Sequence, residues 1–204
     1  MTAARLAIVP TGTANLASVL AAFRRLGVDP EVATSVAEVE GARRVVVPGV
    51  GSFGAAMTEL HRLRLPPVLE ARIAADRPTL AICVGMQVLS TASEESDGLV
   101  GLRAVAGKVT RFPDTVRVPQ IGWNQVRSGA GCELLFDGWA YFANSYRFES
   151  LPEGWSGAVA DHGGGFVAAM ERGNVLACQF HPELSGRWGR DLLGRWLEKS
   201  EAAA

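Results

Sequence analysis

The sequence predicts an α/β fold with a central, mostly parallel sheet, helices on both of its faces and added antiparallel strands in the second half. Short apolar runs alternate with helix-like segments over the first half, which is typical of parallel strands joined by helical crossovers. From residue 100 to residue 180 the pattern changes to short alternating runs separated by turn residues, which indicates added hairpins. A last segment with apolar residues at helical spacing closes the chain.

Each element of the first half has its own local signal. The apolar run at residues 6–9 predicts a buried strand. The helix that follows carries apolar residues at the 3.6-residue period, namely Leu16, Val19, Leu20, Phe23 and Leu26. The other predicted elements are strands at 31–34 and 45–47, helices at 53–61 and 68–75, a strand at 79–83 and a helix from about residue 85.

The second half and the chain as a whole indicate one domain. The turn at residues 161–165 contains three glycines and separates two predicted strands. The final predicted helix carries Trp188, Leu192, Leu193, Trp196 and Leu197. No internal repeat, low-complexity tract or linker interrupts the sequence, so we predict a single domain over residues 1–204.

Composition and charge exclude several functional classes. The 204 residues are 48% apolar and 20% charged, with a net charge of −1, and they contain no basic stripe of the kind that nucleic acids require. No apolar run is long enough to span a bilayer. The three cysteines match neither a disulfide framework nor a zinc motif. The sequence therefore predicts a cytoplasmic protein without a metal or a cofactor.

The stretch around Cys83 carries the strongest chemical signal. Cys83 stands where a buried strand must turn at once into a helix, which is the setting of a nucleophile elbow. Unpaired N–H groups and the dipole at the helix start favour a thiolate there, and Gly85 permits close packing of helix and strand. Such a thiolate can attack a carboxamide carbon to form a thioester. Cys132 and Cys178 lack this setting, and we interpret both as structural.

A segment near the end of the chain indicates a base system. Pro182 disfavours helix at His181, which is therefore held extended, and residues two apart in an extended chain point to the same side. Glu183 can then accept a hydrogen bond from the His181 imidazole, which orients the ring and stabilises the imidazolium. His61 lies on a predicted helix and His162 in a predicted exposed hairpin, so we assign neither to the site.

A glycine loop, Pro48-Gly49-Val50-Gly51-Ser52-Phe53, ends a buried strand. Its two glycines let the backbone approach a substrate closely. We predict that backbone N–H groups at Gly51 and Val84 stabilise a tetrahedral oxyanion, where one such donor contributes about 3–4 kcal/mol. The loop lacks the lysine of a nucleotide-binding phosphate loop, which excludes that alternative.

Together the glycine loop, the Cys83-Val84-Gly85-Met86-Gln87 turn and the Phe180-His181-Pro182-Glu183 strand, in this order and spacing, resemble the class I (triad) glutamine amidotransferases over nearly the whole chain. The resemblance implies a flavodoxin-like glutaminase fold. It implies a catalytic triad of Cys83, His181 and Glu183. It also implies that Gln87 and the backbone around Asn144 and Ser145 help to hold glutamine.

Residues 118–124, Val-Pro-Gln-Ile-Gly-Trp-Asn, and residues 141–146, Tyr-Phe-Ala-Asn-Ser-Tyr, narrow the resemblance within the family. They are similar to members that form a heterodimer with a cyclase subunit, a (β/α)8 barrel. The resemblance implies that the cyclase uses the released ammonia to make imidazole glycerol phosphate and aminoimidazole carboxamide ribonucleotide in histidine biosynthesis.

A docking face is expected because the chain has no phosphate-binding motif for an acceptor substrate, and free ammonia near neutral pH would be protonated and lost. We predict that Asn15, Trp123 and Tyr141 lie at this face, since tryptophan and tyrosine are enriched in interface cores. The alternative for Trp123 is an ordinary core position.

Several positions depart from the family pattern. Leu184 stands where a lysine often follows the triad glutamate, and Gln120 and Asn144 stand where histidines are frequent. The loop at residues 10–16 and Ala81 also differ. The alternatives that stay open are a triad glutaminase serving pyridoxal phosphate or anthranilate synthase, a cysteine peptidase on a similar fold, and a regulatory module without activity. An intact triad argues against the last of these.

Overall fold

The structure, a computed structural model, describes residues 6–12 and 15–202. Its strands are β1 (Leu6–Ile8), β2 (Glu31–Val32), β3 (Arg44–Gly49), β4 (Thr79–Cys83), β5 (Ala92–Ser93), β6 (Lys108–Arg111), β7 (Gln120–Ser128), β8 (Gly138–Asn144), β9 (Tyr146–Phe148), β10 (Ser156–Asp161), β11 (Gly165–Arg172) and β12 (Val175–Cys178). Its helices are α1 (Leu16–Arg25), α2 (Val36–Gly41), α3 (Phe53–Arg62), α4 (Pro66–Ala74), α5 (Val84–Gln87) and α6 (Gly186–Ala202), with a 3₁₀ turn at Pro182–Leu184.

Within these residues the larger sheet has nine strands in the order β2-β1-β3-β4-β12-β11-β10-β7-β8. The first five of this order are parallel to one another, and the remaining four are joined antiparallel. A smaller sheet has the order β5-β6-β9. The predicted α/β fold class, with a parallel first half and antiparallel strands added in the second, is confirmed.

The strand order places helices on both faces of the parallel part. The chain moves outward from β1 to β2 and then returns past β1 to β3 and β4. Because such crossovers are right-handed, the reversal puts α1 on one face and α2 to α4 on the other. The last helix joins the first face, since Trp196 of α6 packs edge-on against Phe23 of α1, with ring centroids 6.3 Å apart.

The three sequence motifs meet because they follow neighbouring parallel strands. Strands β3, β4 and β12 lie side by side, with Gly49 opposite Cys83 and Ile82 opposite Cys178. The carboxyl ends of parallel strands reach the same edge of a sheet, where open α/β folds hold their ligands. The glycine loop, the cysteine turn and the histidine segment therefore share one edge.

The structure corrects the predicted elements in two places. The strand predicted at 31–34 is only two residues long, and helix α2, which was not predicted, follows it. Ser35 caps α2 by accepting from the N–H of Glu38, and the Glu38 carboxylate accepts from the N–H of Thr34. This Ser-x-x-Glu pattern is a capping-box signature that the sequence carried.

No helix in the described part of the chain is long and apolar enough to cross a membrane.

Candidate active site

Cys83 lies at a sharp elbow between β4 and α5. Its backbone has φ 55° and ψ −111°, a left-handed conformation that costs a non-glycine residue free energy and is concentrated at functional sites. A Cβ atom on Gly85 would lie 1.9 Å from the Val47 carbonyl oxygen, and one on Gly49 would lie 2.8 Å from the Val84 Cβ. Glycine at both positions therefore permits the tight packing of the elbow against β3, as was predicted for Gly85.

The helix after the elbow, whose start was predicted at about residue 85, is short. Helix α5 spans only four residues, one helical turn. A single turn aligns few peptide dipoles, so the macrodipole gives a Cys83 thiolate less support than was expected from the sequence. A Cys83 thiolate would therefore depend mainly on the groups around the sulfur for its stabilisation.

His181 and Glu183 form a buried pair at the same edge of the sheet. His181 Nδ1 lies 2.9 Å from Glu183 Oε1, and the two side chains are only 5% and 3% exposed. His181 is extended, with φ −99° and ψ 95°, as predicted. Glu183 instead lies in the 3₁₀ turn, so the turn and not strand alternation brings the carboxylate back to the imidazole.

Two backbone hydrogen bonds and a serine hold the histidine in place. The N–H of His181 donates to the Tyr141 carbonyl at 2.9 Å. The Ser185 hydroxyl donates to the His181 carbonyl at 2.6 Å and accepts from the N–H of Tyr141 at 2.9 Å. Sequence reasoning missed Ser185, because its role depends on β8, which lies over 40 residues earlier in the sequence. The histidine is therefore anchored to β8 by both its backbone groups.

The environment of His181 keeps its imidazole charged. Burial alone lowers the pKa of His181, but hydrogen-bonding and charge interactions with Cys83 and Glu183 outweigh it and raise the pKa to about 10. At neutral pH the ring is an imidazolium beside the sulfur. A protonated His181 therefore faces the Cys83 side chain, with Glu183 bound to its other ring nitrogen.

The other cysteines and histidines have different surroundings. Cys178 is fully buried, and burial together with the charges of Glu183 and Glu171 raises the pKa of its thiol well above the usual value. Burial also raises the pKa of Cys132. His61 lies on α3, as predicted, and its side chain is exposed. His162 is half-buried rather than exposed, because its ring stacks edge-on against Phe112 at 4.9 Å.

A pocket of about 220 Å³ opens beside the Cys83 sulfur. Its lining residues are Gly51, Cys83, Val84, Gln87, Glu95, Ala143, Asn144, Ser145 and Tyr146. The volume lies below that of typical drug-sized pockets and suits one small amino acid. Gly51 and Val84 both line it, so the structure places the predicted oxyanion donors next to the nucleophile. Their role stays a prediction.

The predicted glutamine-binding residues, Gln87, Asn144 and Ser145, also line the pocket. Both N–H groups of the Gln87 amide are used, one on the Tyr146 carbonyl at 3.1 Å and one on the Gln179 side-chain oxygen at 3.0 Å. Gln87 can therefore contact a ligand only through its own Oε1. The Asn144 side chain is buried and donates to the Tyr146 carbonyl at 3.0 Å.

Glu95 is a pocket residue that sequence reasoning did not identify. Its Oε2 accepts from the N–H of Phe53 at 2.6 Å, which fixes the side chain at the start of α3. Among the described residues that line the pocket, it is the only carboxylate. It follows the elbow by only 12 positions, but no motif marks it, and neighbouring Glu94 looks equivalent in the sequence.

Comparison with known proteins identifies the family of the chain. The family described as glutamine amidotransferase class-I matches residues 8–198. The chain is also 41% identical to the imidazole glycerol phosphate synthase subunit HisH of Symbiobacterium thermophilum, over 95% of this chain and 93% of that protein. The chain belongs to the class I glutamine amidotransferases. The resemblance noted from the sequence motifs is therefore confirmed.

Other relatives and structures support the same family. The HisH subunit of Methanothermobacter thermautotrophicus is 40% identical over 95% of this chain and 98% of its own length. The chloroplastic imidazole glycerol phosphate synthase hisHF of Arabidopsis thaliana is 38% identical over 91% of this chain but only 33% of its own length. A crystal structure of a glutamine amidotransferase superposes with a TM-score of 0.77 at 20% identity, covering 96% of this chain and 98% of that one, which shows a shared fold.

Of the three predicted docking residues, Trp123 and Tyr141 lie together, whereas Asn15 lies at the start of α1. Trp123 of β7 lies opposite Tyr141 of β8, with their rings edge-on at 6.3 Å, and Trp123 is 55% exposed. The alternative of a core position for Trp123 is therefore wrong. Ile121, which was not predicted, extends the same outward face. Asn15 instead caps α1 by accepting from the N–H of Ser18, and no hydrogen bond in the described residues joins it to that face.

The structure also locates the positions that depart from the family pattern. Gln120 and Asn144 lie directly opposite each other in the β7–β8 pair, so the two amides that stand where histidines are frequent are neighbours on one face. Leu184 is 41% exposed and leaves no charge at that position. A paired change at Gln120 and Asn144 is easier to accommodate than either alone, because directly opposite positions of two antiparallel strands are neighbours.

Proposed function

We propose that this chain hydrolyses glutamine to glutamate and ammonia through a thioester on Cys83, and passes the ammonia to a cyclase partner. That partner is a (β/α)8 barrel that makes imidazole glycerol phosphate and aminoimidazole carboxamide ribonucleotide in cytoplasmic histidine biosynthesis. The observation that carries the proposal is the Cys83 elbow beside the buried His181–Glu183 pair, at the mouth of a pocket with one carboxylate. Glutamine-dependent ammonia release by the chain with its partner is the direct test.

Acylation uses the thiolate and the imidazolium in turn. The Cys83 sulfur attacks the carboxamide carbon, and the negative charge that develops on oxygen is stabilised by backbone N–H groups of Val84 and the Gly51 loop. His181 gives its proton to the departing nitrogen, so the C–N bond breaks and ammonia leaves as a neutral molecule. A thioester on Cys83 and a neutral His181 remain.

Deacylation reverses these roles. Neutral His181 takes a proton from a water molecule, whose oxygen attacks the thioester carbon. The C–S bond breaks, its electron pair returns to sulfur, and glutamate leaves. The thiolate–imidazolium pair is restored, and Glu183 keeps the ring in the required orientation throughout, through the 2.9 Å contact with Nδ1.

Glu95 is suited to the α-ammonium group of glutamine. One carboxylate oxygen is fixed by the N–H of Phe53, which leaves the other oxygen for a ligand. A cation held at this carboxylate would orient an amino acid with its side chain toward Cys83. Binding of the α-ammonium group by Glu95 selects a free amino acid over an internal peptide residue, and so favours a glutaminase over a peptidase.

We therefore expect Glu95→Gln to raise the KM for glutamine by about 10- to 100-fold, the effect of losing a charge-assisted hydrogen bond. The change keeps an oxygen for the Phe53 N–H, so folding is preserved. The value of kcat should change much less, because the α-ammonium group is remote from the reacting carbon. Steady-state kinetics with glutamine give both values.

The matched control is Glu94→Gln. Glu94 is partly exposed, binds Lys108 and the N–H of Arg111, and does not line the pocket. The Glu94→Gln change should leave the KM for glutamine unchanged. Equal KM values for both variants would remove Glu95 from the binding site.

The outward face of β7 and β8 is suited to a partner that receives ammonia. The carbonyl of Ala143 on β8 lies 4.0 Å from the Cys83 sulfur, and that of Tyr141 accepts from the N–H of His181. Strand β8 therefore borders the reaction site on one side. It also carries Tyr141, which lies beside Trp123 on the outward face of β7 and β8. The hisHF relative supports a partner, since this chain covers only 33% of its length.

Trp123→Ala should weaken binding of the cyclase subunit by about 30-fold or more, the loss typical of a central interface tryptophan. Isothermal titration calorimetry with the purified subunit measures this. Leu151→Ala serves as the control, since Leu151 is exposed but lies outside β7 and β8. Unchanged affinity in the Trp123 variant, with normal glutamine-dependent synthesis, would place the interface elsewhere.

A further inference from the structure

We propose that Gln179 is a further functional residue of the reaction, whose side-chain N–H donates to the Cys83 sulfur and stabilises it as a thiolate, both as nucleophile and as leaving group. Gln179 lies between the last residue of β12 and the extended His181, and its backbone N–H donates to the Ala168 carbonyl at 2.8 Å. Residues 179 and 181 are two apart, so both side chains point toward the elbow.

The contact is direct and fully enclosed. Gln179 Nε2 lies 3.7 Å from Cys83 Sγ, within hydrogen-bond range for sulfur, and the residue is 0% exposed. A buried N–H group that makes no hydrogen bond is costly. The surrounding contacts must therefore hold the Gln179 NH₂ group at the sulfur. Water does not compete for the sulfur on this side, which strengthens the interaction.

The orientation of the Gln179 amide is fixed by Gln87. Gln87 Nε2 can only donate, and it lies 3.0 Å from the Gln179 oxygen. Gln179 must therefore present its oxygen to Gln87 and its NH₂ group to Cys83, since the opposite orientation would set two NH₂ groups against each other. The Gln87 NH₂ group is itself held by the Tyr146 carbonyl. A chain of three groups thus aims one N–H at the reacting sulfur.

This donor matters because the one-turn helix α5 supplies little dipole. The imidazolium of His181 stabilises the thiolate only until it gives up its proton to the departing nitrogen. When water then attacks the thioester carbon and the C–S bond breaks, the electron pair returns to sulfur, and the Gln179 N–H is a donor that does not change protonation state. Only the role of Gln179 in thioester hydrolysis rests on the proposed glutaminase function.

The test replaces Gln179 with methionine, which has a similar volume and no donor. Loss of one N–H to a charged atom should slow alkylation of Cys83 by iodoacetamide at neutral pH by about 10- to 100-fold, and move the midpoint of its pH profile upward. With glutamine, kcat should fall by a similar factor, and mass spectrometry should show more thioester on Cys83. Alkylation is followed on the Cys83 peptide, so the other cysteines do not interfere.

Gln120→Met is the matched control, because Gln120 is also buried but makes no hydrogen bond to Cys83. It should alkylate like the wild type. If Gln179→Met fails to fold, Gln179→Glu is used, and its carboxylate beside the sulfur should slow alkylation at least as much.

Superimposable alkylation profiles for the wild type and a folded Gln179 variant would overturn the proposal. Alkylation needs no glutamine, so this result is separable from a failure of the glutaminase function itself, which would appear as a wild type that does not turn over glutamine.

Discussion

Cys83→Ser is expected to abolish glutamine hydrolysis, with a loss of about 10⁴- to 10⁶-fold, while the complex with the cyclase still uses added ammonia. A serine hydroxyl at the elbow is not ionised by the neighbouring imidazolium, so the nucleophile is lost, and removal of a triad nucleophile has effects of this size. Ammonia-dependent synthesis should persist, because the acceptor chemistry takes place on the partner. Glutamate release and cyclase turnover, measured on the same complex, separate the two activities.

The chain offers a matched control for this experiment. Cys132 lies outside the pocket, and burial and the charge of Glu171 raise the pKa of its thiol, so Cys132→Ser should retain activity. A glutamine-like electrophile should correspondingly label Cys83 and spare Cys132 and Cys178. Loss of the ammonia-dependent reaction in the Cys83 variant would show that the division of labour between the subunits is wrong.

Glu183→Gln is expected to lower kcat by about 100-fold or more and to move the alkaline limb of the activity profile to lower pH. In the wild type the pKa of His181 is about 10, raised by hydrogen-bonding and charge interactions with Cys83 and Glu183. Activity should therefore fall only as pH rises through about 10, where His181 loses the proton that the departing ammonia needs. Without the carboxylate charge the limb should move down by about 1–3 pH units.

The same shift has a consequence for stability. The pKa of His181 is raised above its ordinary value of 6.5, so the charged pair stabilises the folded chain fully below about pH 6.5. That contribution is lost as pH rises from there through about 10. Urea denaturation across this range should show a smaller alkaline loss for Glu183→Gln than for the wild type.

Glu149→Gln, which changes an exposed carboxylate that binds Arg147, is the control for both measurements. It should reproduce the wild-type activity profile and the wild-type pH dependence of stability. An unchanged alkaline limb in Glu183→Gln would contradict the assignment of Glu183 as a partner that, together with Cys83, raises the pKa of His181.

The sequence by itself determined the elements with short-range signals. The strand at residues 79–83 was predicted with its observed bounds, and the helices at 16–26 and 53–61 nearly so, because apolar period, caps and glycines act within a few residues. It also proposed Cys83, His181 and Glu183, since a strand–turn–helix and a histidine before proline are local patterns. The family followed from the order of these motifs.

The tertiary structure alone decided what lies between the motifs. Gln179 reaches Cys83 across 96 positions, Ser185 reaches β8 across 44, and Glu95 joins the start of α3 across 42. The pairing of β7 with β8 turned Trp123 outward, and α5 proved to be one turn long. Such contacts depend on which strands become neighbours in the sheet, and that choice is set by the packing of the whole chain, which no short window of residues contains.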